Sequence, residues 1–303
     1  MNARAQIRML DDERHVHMQD GPIDLVVEAF GDAAEVTAAY QAAATRFVTI
    51  LDELCGELRF LRRAFDSEAC LPAGVVARRM AAAVRPYAAV SFITPMAAVA
   101  GAVAEEILDA MTSSAQLSRA YVNDGGDIAL HLSPGETFVV GMVRYPDGSE
   151  DSAYAMFGST TIGFEQSIRG IATSGWRGRS FSLGIADAVT VLADTAAMAD
   201  AAATMVANAI DLPGHPGIGR ARACDLAPDS DLGERLVTRS VAELSAAELN
   251  EALTCGAQAA ESMVARGLIR AAALNLHGTV RVVGTAESTL IGTSSTNGSL
   301  VHA

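Results

Sequence analysis

Asp200, Thr204 and Asn208 recur at intervals of four within a stretch of alanines and methionines, a spacing that gathers their side chains on one face of a helix. A carboxylate with a hydroxyl one turn away offers the hard oxygens that Mg²⁺ prefers, and leaves coordination positions for water and phosphate oxygens. The same spacing suits a Thr204 hydroxyl bonded back to the carbonyl of residue 200 beside a solvated Asp200. Asn123-Asp124-Gly125-Gly126-Asp127 lies between two apolar runs; its paired glycines permit positive φ and a close approach of backbone N–H groups to a ligand, or make a hairpin turn. Thr173-Ser174-Gly175-Trp176-Arg177-Gly178-Arg179-Ser180 carries hydroxyls, two guanidinium groups and the one tryptophan of the chain. Its Arg forks could grip a diphosphate and Trp176 could stack on a flat ring; an exposed surface loop would need neither.

These residues must be positioned by elements legible on either side. Ala186 to Ala193 is mostly apolar with β-branched Val189 and Val191, which predicts a short buried strand, and Asp194-Thr195 then supplies N-cap chemistry for the helix that carries Asp200. Residues 5 to 30 read as two or three strands around the turn Gln19-Asp20-Gly21-Pro22. Phe47, Ile50, Leu51, Leu54 and Leu58 mark a long amphipathic helix over 33–64. Further helices are predicted near 75–85 and 95–111, and strands over 119–122, 127–132 and 137–143. The uncharged run Tyr87 to Ala104 contains Pro95 and Gly101 and reads as an extended segment entering a buried helix, opened by Thr94-Pro95, rather than as a membrane span. Residues 211–240 show little periodicity and read as a long lid or binding loop. Ser245 and Glu248 form a capping box for a helix to about residue 265; two strands follow around His277-Gly278, and residues 293–303 are expected to be a poorly ordered tail. Helices and strands come in blocks, which predicts an α+β fold with a mixed or antiparallel sheet packed by long helices.

Composition removes several classes of activity. The chain has 303 residues, half of them apolar, and a formal net charge of −14, so a nucleic acid backbone would be repelled. It contains no lysine; Schiff-base chemistry on a lysine is excluded, and phosphate must be met by arginine. The four cysteines show no C-x-x-C pairing, and the six histidines make no zinc spacing. No G-x-S-x-G elbow occurs. Met1 leads directly into charged residues with no hydrophobic signal core, which gives the expectation of a cytoplasmic protein with reduced thiols.

Thr173-Ser174-Gly175, the segment Asn123 to Ile128, and the V-T-V-x-A-D … A-D-x-x-x-T pattern of Val189 to Thr204 together resemble the ApbE-like superfamily, whose characterised members are FAD:protein FMN transferases. A closer similarity, to an ApbE-like family of bacteria and archaea, runs through Thr94-Pro95-Met96-Ala97, Gly125-Gly126-Asp127, Gly184 to Ala188 and Pro228 to Gly233 and is essentially full-length. The resemblance implies a single domain over 1–303 with a T-fold-like architecture, Mg²⁺ held at Asp200 and Thr204, and FAD or FMN gripped by Asn123, Gly125, Gly126, Asp127, Thr173, Ser174 and Gly175; the chemistry of the neighbouring loop adds Trp176 and Arg177 to that expected site. One departure stands out. The FMN transferases carry H-I-I-D-P-x-T-G between their T-S-G turn and the following strand, where this chain has Ser182-Leu183-Gly184-Ile185-Ala186-Asp187, so the flavin-contacting histidine has no counterpart.

The expected function is therefore a Mg²⁺-dependent enzyme acting on a flavin or related nucleotide by diphosphate cleavage or FMN transfer. Two alternatives stand beside it. One is a cofactor-biosynthesis enzyme acting on a non-flavin heteroaromatic or phosphorylated metabolite. The other is a non-catalytic binding protein whose alanine- and glycine-rich helices pack subunits into a homo-oligomer.

Overall fold

The computed structural model describes residues 4–68, 70–144, 155–284, 288–289 and 300–302. In chain order the strands are β1 (Gln6–Met9), β2 (Val16–Asp20), β3 (Ile23–Phe30), β4 (Arg119–Asp124), β5 (Asp127–Leu132), β6 (Thr137–Arg144), β7 (Ala155–Gly163), β8 (Gly170–Ser174), β9 (Ala188–Ala193), β10 (Ile218–Arg222), β11 (Leu236–Val241), β12 (Ala271–Leu276), β13 (Thr279–Gly284), β14 (Ser288–Thr289) and β15 (Leu300–His302). The helices are α1 (Ala33–Leu61), α2 (Val75–Val84), α3 (Val99–Ser114), α4 (Ala196–Ala209), α5 (Ala223–Leu226) and α6 (Ala246–Ala265).

Nine strands form one sheet in the order β1-β2-β3-β4-β5-β8-β9-β12-β13, and every neighbouring pair is antiparallel. Alternation along the strands sorts the side chains. Val122, Ala129, Ala172, Val189 and Val191 join the core beneath the helices, while Tyr121, Ile128, Leu130, Ile171 and Leu192 join a second core with Phe138, Val140 and Ile162. The helices follow the sheet across its first face: α1 lies against β2 and β3, α3 against β4 and β5, α4 against β8 and β9, and α6 against β12 and β13. The second face is covered by a smaller sheet of order β14-β7-β6-β15, in which β15 runs parallel to β6. This is an α+β fold built on antiparallel pairing.

Helix α4 is buried at Ala196, Ala197, Ala199, Ala201, Ala202, Ala203, Val206 and Ala207, the pattern of a core helix rather than of a surface one. Its small side chains let neighbouring backbones come close. A β-carbon at Gly101 of α3 would stand 2.3 Å from the Ala196 carbonyl oxygen, and one at Gly170 would stand 2.1 Å from that of Thr195. The small residues of α3 and α4 thus serve packing within the chain. Thr94 is extended, Pro95 opens a 3-10 turn over Pro95–Ala98, and α3 follows, as the Thr94-Pro95 pair predicts.

Three regions differ from expectation. Thr173 and Ser174, expected in a glycine loop, end strand β8, where they pair with Thr190 and Val189. Residues 211–240 are not one open loop: β10 pairs with β11 around α5. The hairpin has a register shift between Gly219 and Arg220, and its residues are mostly half-buried or exposed without alternation, so its sequence alternates poorly. Strand β7 was not foreseen, because Gly158-Ser159-Thr160-Thr161 has the composition of a turn. Of the expected tail, residues 293–299 and 303 lie outside the described residues. Among the described residues no helix is long and apolar enough to cross a membrane.

Candidate functional site

The hairpin between β4 and β5 has two central residues, Gly125 and Gly126, with φ of +65° and +109°, so Asp124 and Asp127 pair directly across it. Two positive φ values define the tight turn that matches strand twist, which explains the glycines. The side chain of Asn123 closes the turn by accepting from the Gly126 amide at 2.8 Å. Asp124 and Asp127 have the same parity as Val122 and Ala129 and so turn toward the helices. There Asp127 Oδ1 accepts from the amide of Thr173 on β8 at 3.2 Å.

Asp200, in the second turn of α4, completes the group. Its Oδ2 accepts from the Gly101 amide at 3.1 Å, in the first turn of α3, where helix amides lack intrahelical partners. The relation is reciprocal. Glu105 of α3 accepts from the Ala197 amide in the first turn of α4 at 2.8 Å, and its other oxygen holds Arg79 at 2.9 Å.

The three carboxylates sense one another. Burial pushes Asp124 up to about 7, against the pull of Arg179. Burial also raises Asp200 to about 7, with the Gly101 amide opposing and Asp124 adding to the rise. Asp127 is raised well above the usual carboxylate range by burial, then by Asp200 and Asp124. Against this charge stands Arg179, whose Nη2 lies 3.9 Å from Asp124 Oδ1. The guanidinium occupies the space a side chain at Gly125 would need, since a β-carbon there would stand 2.1 Å from Nη2. The loop after β8 therefore touches the β4–β5 turn.

The remaining expected residues divide by what they touch. Thr173 gives its amide to Asp127, but its hydroxyl bonds that of Thr190 at 2.9 Å. Ser174 ends β8, and Gly175 lies so close to the start of β9 that a β-carbon would meet the Asp187 carbonyl oxygen at 2.4 Å. Trp176 and Arg177 both donate to Asp187 Oδ1, at 3.2 and 2.7 Å. Asn208, on the same helix face as Asp200 by spacing, instead receives the Leu183 amide at 2.9 Å. Thr204 makes no back-bond to residue 200; its hydroxyl has no hydrogen-bond partner among the described residues.

Residues 7–282 match a family model described as AbpE bacteria. The chain belongs to that family. Among curated relatives, the UPF0280 protein of Methanopyrus kandleri is 38% identical over 135 residues, 44% of this chain and 48% of that protein. The UPF0280 protein of Methanococcoides burtonii is 37% identical over 131 residues, 43% of this chain and 51% of that protein. That of Methanosarcina acetivorans is 32% identical over 191 residues, covering 62% of this chain and 70% of that protein, which places the chain among the UPF0280 proteins as well. The chain spans about half the length of the first two relatives. Among solved structures, it is similar to the flavinyl transferase ApbE of Pseudomonas stutzeri, apo form, at 11% identity over 93% of this chain and 94% of that one, with a TM-score of 0.47.

The match to AbpE bacteria takes in every segment of the carboxylate site. It also contains the segment Ser182 to Asp187, which is tied down from both sides. Leu183 is held by Asn208, the Ile185 amide donates to the Ile210 carbonyl at 2.8 Å, and Thr238 donates its amide to the Ser182 carbonyl at 2.9 Å and its hydroxyl to the Gly184 carbonyl at 2.7 Å. A β-carbon at Gly184 would stand 2.1 Å from the Ala207 carbonyl oxygen. The segment is thus part of the packing between α4 and β11.

The donor chemistry fits a hard divalent cation. Three buried carboxylates lie near enough to influence one another, with one guanidinium 3.9 Å from Asp124, and the Thr204 hydroxyl, one turn along α4 from Asp200, has no hydrogen-bond partner among the described residues. Among the described residues no three His, Cys, Asp or Glu side chains are grouped to hold a metal by themselves, so an ion here would draw further oxygens from Thr204, water or a ligand, as Mg²⁺ commonly does. Asp124 and the bridging role of Arg179 were not foreseen. The signal for Asp124 was present: in N-D-G-G-D a two-residue turn makes its two acids cross-strand partners.

Proposed function

We propose that this protein binds a flavin or related nucleotide together with Mg²⁺ at the junction of the β4–β5 turn, the end of β8 and α4, and acts there as a transferase: the diphosphate P–O bond breaks, the nucleoside monophosphate leaves with the bridging oxygen, and the flavin phosphoryl group passes to an acceptor hydroxyl that gives up its proton. The observation that carries the reading is the convergence of Asp127 and Asp200, from separate elements, beside Asp124 in a buried cluster, where burial first and like-charge repulsion second raise their proton affinity. A divalent cation relieves that repulsion, and a diphosphate supplies the oxygens the protein leaves missing. Asp127, Asp200 and Thr204 would hold the ion, and Arg179 would offer a planar fork to a phosphate. The ion supplies neutralisation of the charge that develops as the linkage breaks. Membership of the AbpE bacteria family supports this reading.

The test is a thermal-shift titration with FAD or FMN and Mg²⁺, followed by chromatography for AMP released from FAD. Ligand at about one hundred times its dissociation constant should stabilise the fold by roughly 2.7 kcal/mol. If neither flavin with Mg²⁺ raises the melting temperature, the reading fails.

The fixed segment Ser182 to Asp187 favours a second reading, in which the same cleft serves a non-flavin heteroaromatic or phosphorylated metabolite. A native mass spectrum with a co-purified pterin or similar metabolite would decide for it.

A further inference from the structure

Asp187 gathers three donors from two separate connections. Its Oδ1 accepts from Trp176 Nε1 at 3.2 Å and Arg177 Nε at 2.7 Å, and its Oδ2 accepts from the His277 amide at 2.6 Å. The Arg177 guanidinium lies over the Trp176 ring, 4.7 Å from its centroid. The carboxylate is only 12% exposed whereas the Arg177 side chain is 37% exposed, so the stack is fixed from beneath and open above. His277 occupies the first central position of the β12–β13 turn with φ of +49°, followed by Gly278 at +79°. Its imidazole makes no hydrogen bond among the described residues. Asn-Gly is the favoured pair for such a turn, so a histidine there gains nothing for the turn itself.

We propose that Asp187 is a positioning residue that holds Trp176, Arg177 and His277 as one preformed binding surface for a planar heteroaromatic ring. The ring stacks on the outer face of the Arg177 guanidinium, which is itself seated on Trp176, and His277 meets the edge of the ligand. Arginine is suited to the middle layer because its flat, weakly hydrated cation stacks on π-systems. A shared carboxylate acceptor removes the freedom the two side chains would otherwise lose on binding. The register of β5, β8, β9 and β12 puts this surface at the same end of the sheet as Asp127, two to three strand spacings away, roughly 10–14 Å. A ligand touching both must carry its ring at one end and its phosphates at the other. In that respect the inference rests on the proposed function, and it adds the ring-recognising residues and the class of group they take.

Trp176 is the one tryptophan in the chain, so its emission reports on this surface alone. Riboflavin, which has the ring without phosphate, and Mg²⁺-pyrophosphate, which has phosphate without the ring, separate the two parts of the site. Riboflavin should quench Trp176 in the wild-type protein. Asp187→Asn, which turns an amide N–H₂ toward at least one of three donors, should weaken riboflavin at least tenfold and leave Mg²⁺-pyrophosphate affinity unchanged. Arg177→Ala, at an exposed side chain, should do the same without risk to the fold. His277→Asn should hold or raise the melting temperature while weakening FAD, a combination that a structural role does not produce. The inference is overturned if riboflavin, FMN and a pterin all leave Trp176 emission unchanged, or if Asp187→Asn and Arg177→Ala bind riboflavin as the wild type does. Failure of the proposed function reads differently: riboflavin quenches Trp176, but Mg²⁺-pyrophosphate does not bind and FAD yields no AMP.

Discussion

The amide of Gly101 donates to Oδ2 of Asp200 over 3.1 Å, joining the first turn of α3 to the carboxylate cluster of α4. With Glu105 returning the same service to the Ala197 amide, each helix satisfies an orphan donor of the other. One group in the candidate site is therefore also part of a helix junction, and substitutions can separate the two roles.

Gly101→Ala tests the junction. The new methyl would stand 2.3 Å from the Ala196 carbonyl oxygen and 2.5 Å from its carbon, backbone atoms that cannot turn aside, so α3 and α4 must part. A loss of about 2–4 kcal/mol is expected in urea unfolding, in the range of overpacked cores and broken buried hydrogen bonds. An alanine variant as stable as the wild type would contradict the close approach.

Asp200→Asn keeps an oxygen for Gly101 and removes a charge. In the metal-free protein Asp124 and Asp200 ionise near 7 rather than near 3.8. Between those values the folded state holds protons that the unfolded state has released, so stability falls as pH rises from about 4 to about 7, and the cost is complete above that. The variant should accordingly melt higher than the wild type at pH 8 and alike at pH 4. Mg²⁺ has the opposite dependence, since it competes with those protons: its stabilisation of the wild type should be larger at pH 8 than at pH 6 and absent from the variant. Calorimetry at the two pH values, with and without Mg²⁺, reads both effects.

Glu105→Ala removes the acceptor for the Ala197 amide and one partner of Arg79, which also contacts Glu106 and Asp109 at 3.3 and 2.8 Å. Because Arg79 keeps those partners, the loss should be that of a helix cap, about 1–2 kcal/mol, with Mg²⁺-dependent stabilisation retained. A variant that loses the Mg²⁺ response as completely as Asp200→Asn would show that the two carboxylates are not separable.

Gly125→Ala places a side chain at φ of +65° and against the Arg179 guanidinium. The backbone strain should cost about 1 kcal/mol. Displacing Arg179 removes the cation that holds Asp124 down, so the pH-dependent loss of stability should continue above pH 7 instead of ending there. Potentiometric or NMR titration of Asp124 would check it, and an unchanged midpoint would put Arg179 outside the site's electrostatics.

Much of this was legible in the chain. The strand from residue 188, the Thr195 cap, which accepts from the Met198 amide at 3.3 Å, and the Ser245–Glu248 capping box follow from local chemistry that tertiary contacts do not override. The four-residue spacing of Asp200 and Thr204 placed them on one helix face, but spacing is silent about what the face meets. It could not separate Asn208, which holds Leu183, from Thr204, whose hydroxyl has no partner among the described residues. Sequence leaves Trp176 and Arg177 free to meet a ligand directly, because their common acceptor, Asp187, lies eleven and ten residues on and approaches only when β8 and β9 pair. The β10–β11 hairpin escaped because its strands bury few side chains, leaving little alternation to read.

The chain leaves the large sheet after Leu132, builds β6 and β7, and returns at Gly170 beside the strand it left, with Ile128 opposite Ile171 and the Leu130 amide bonded to the Arg169 carbonyl. Departure and return are thus neighbours, and the excursion between them is stitched shut at its base. Descendants of this fold can lengthen, shorten or rebuild that cover, and so change what the outer surface presents to the cell, without shifting Asp127 against Thr173 by a single residue.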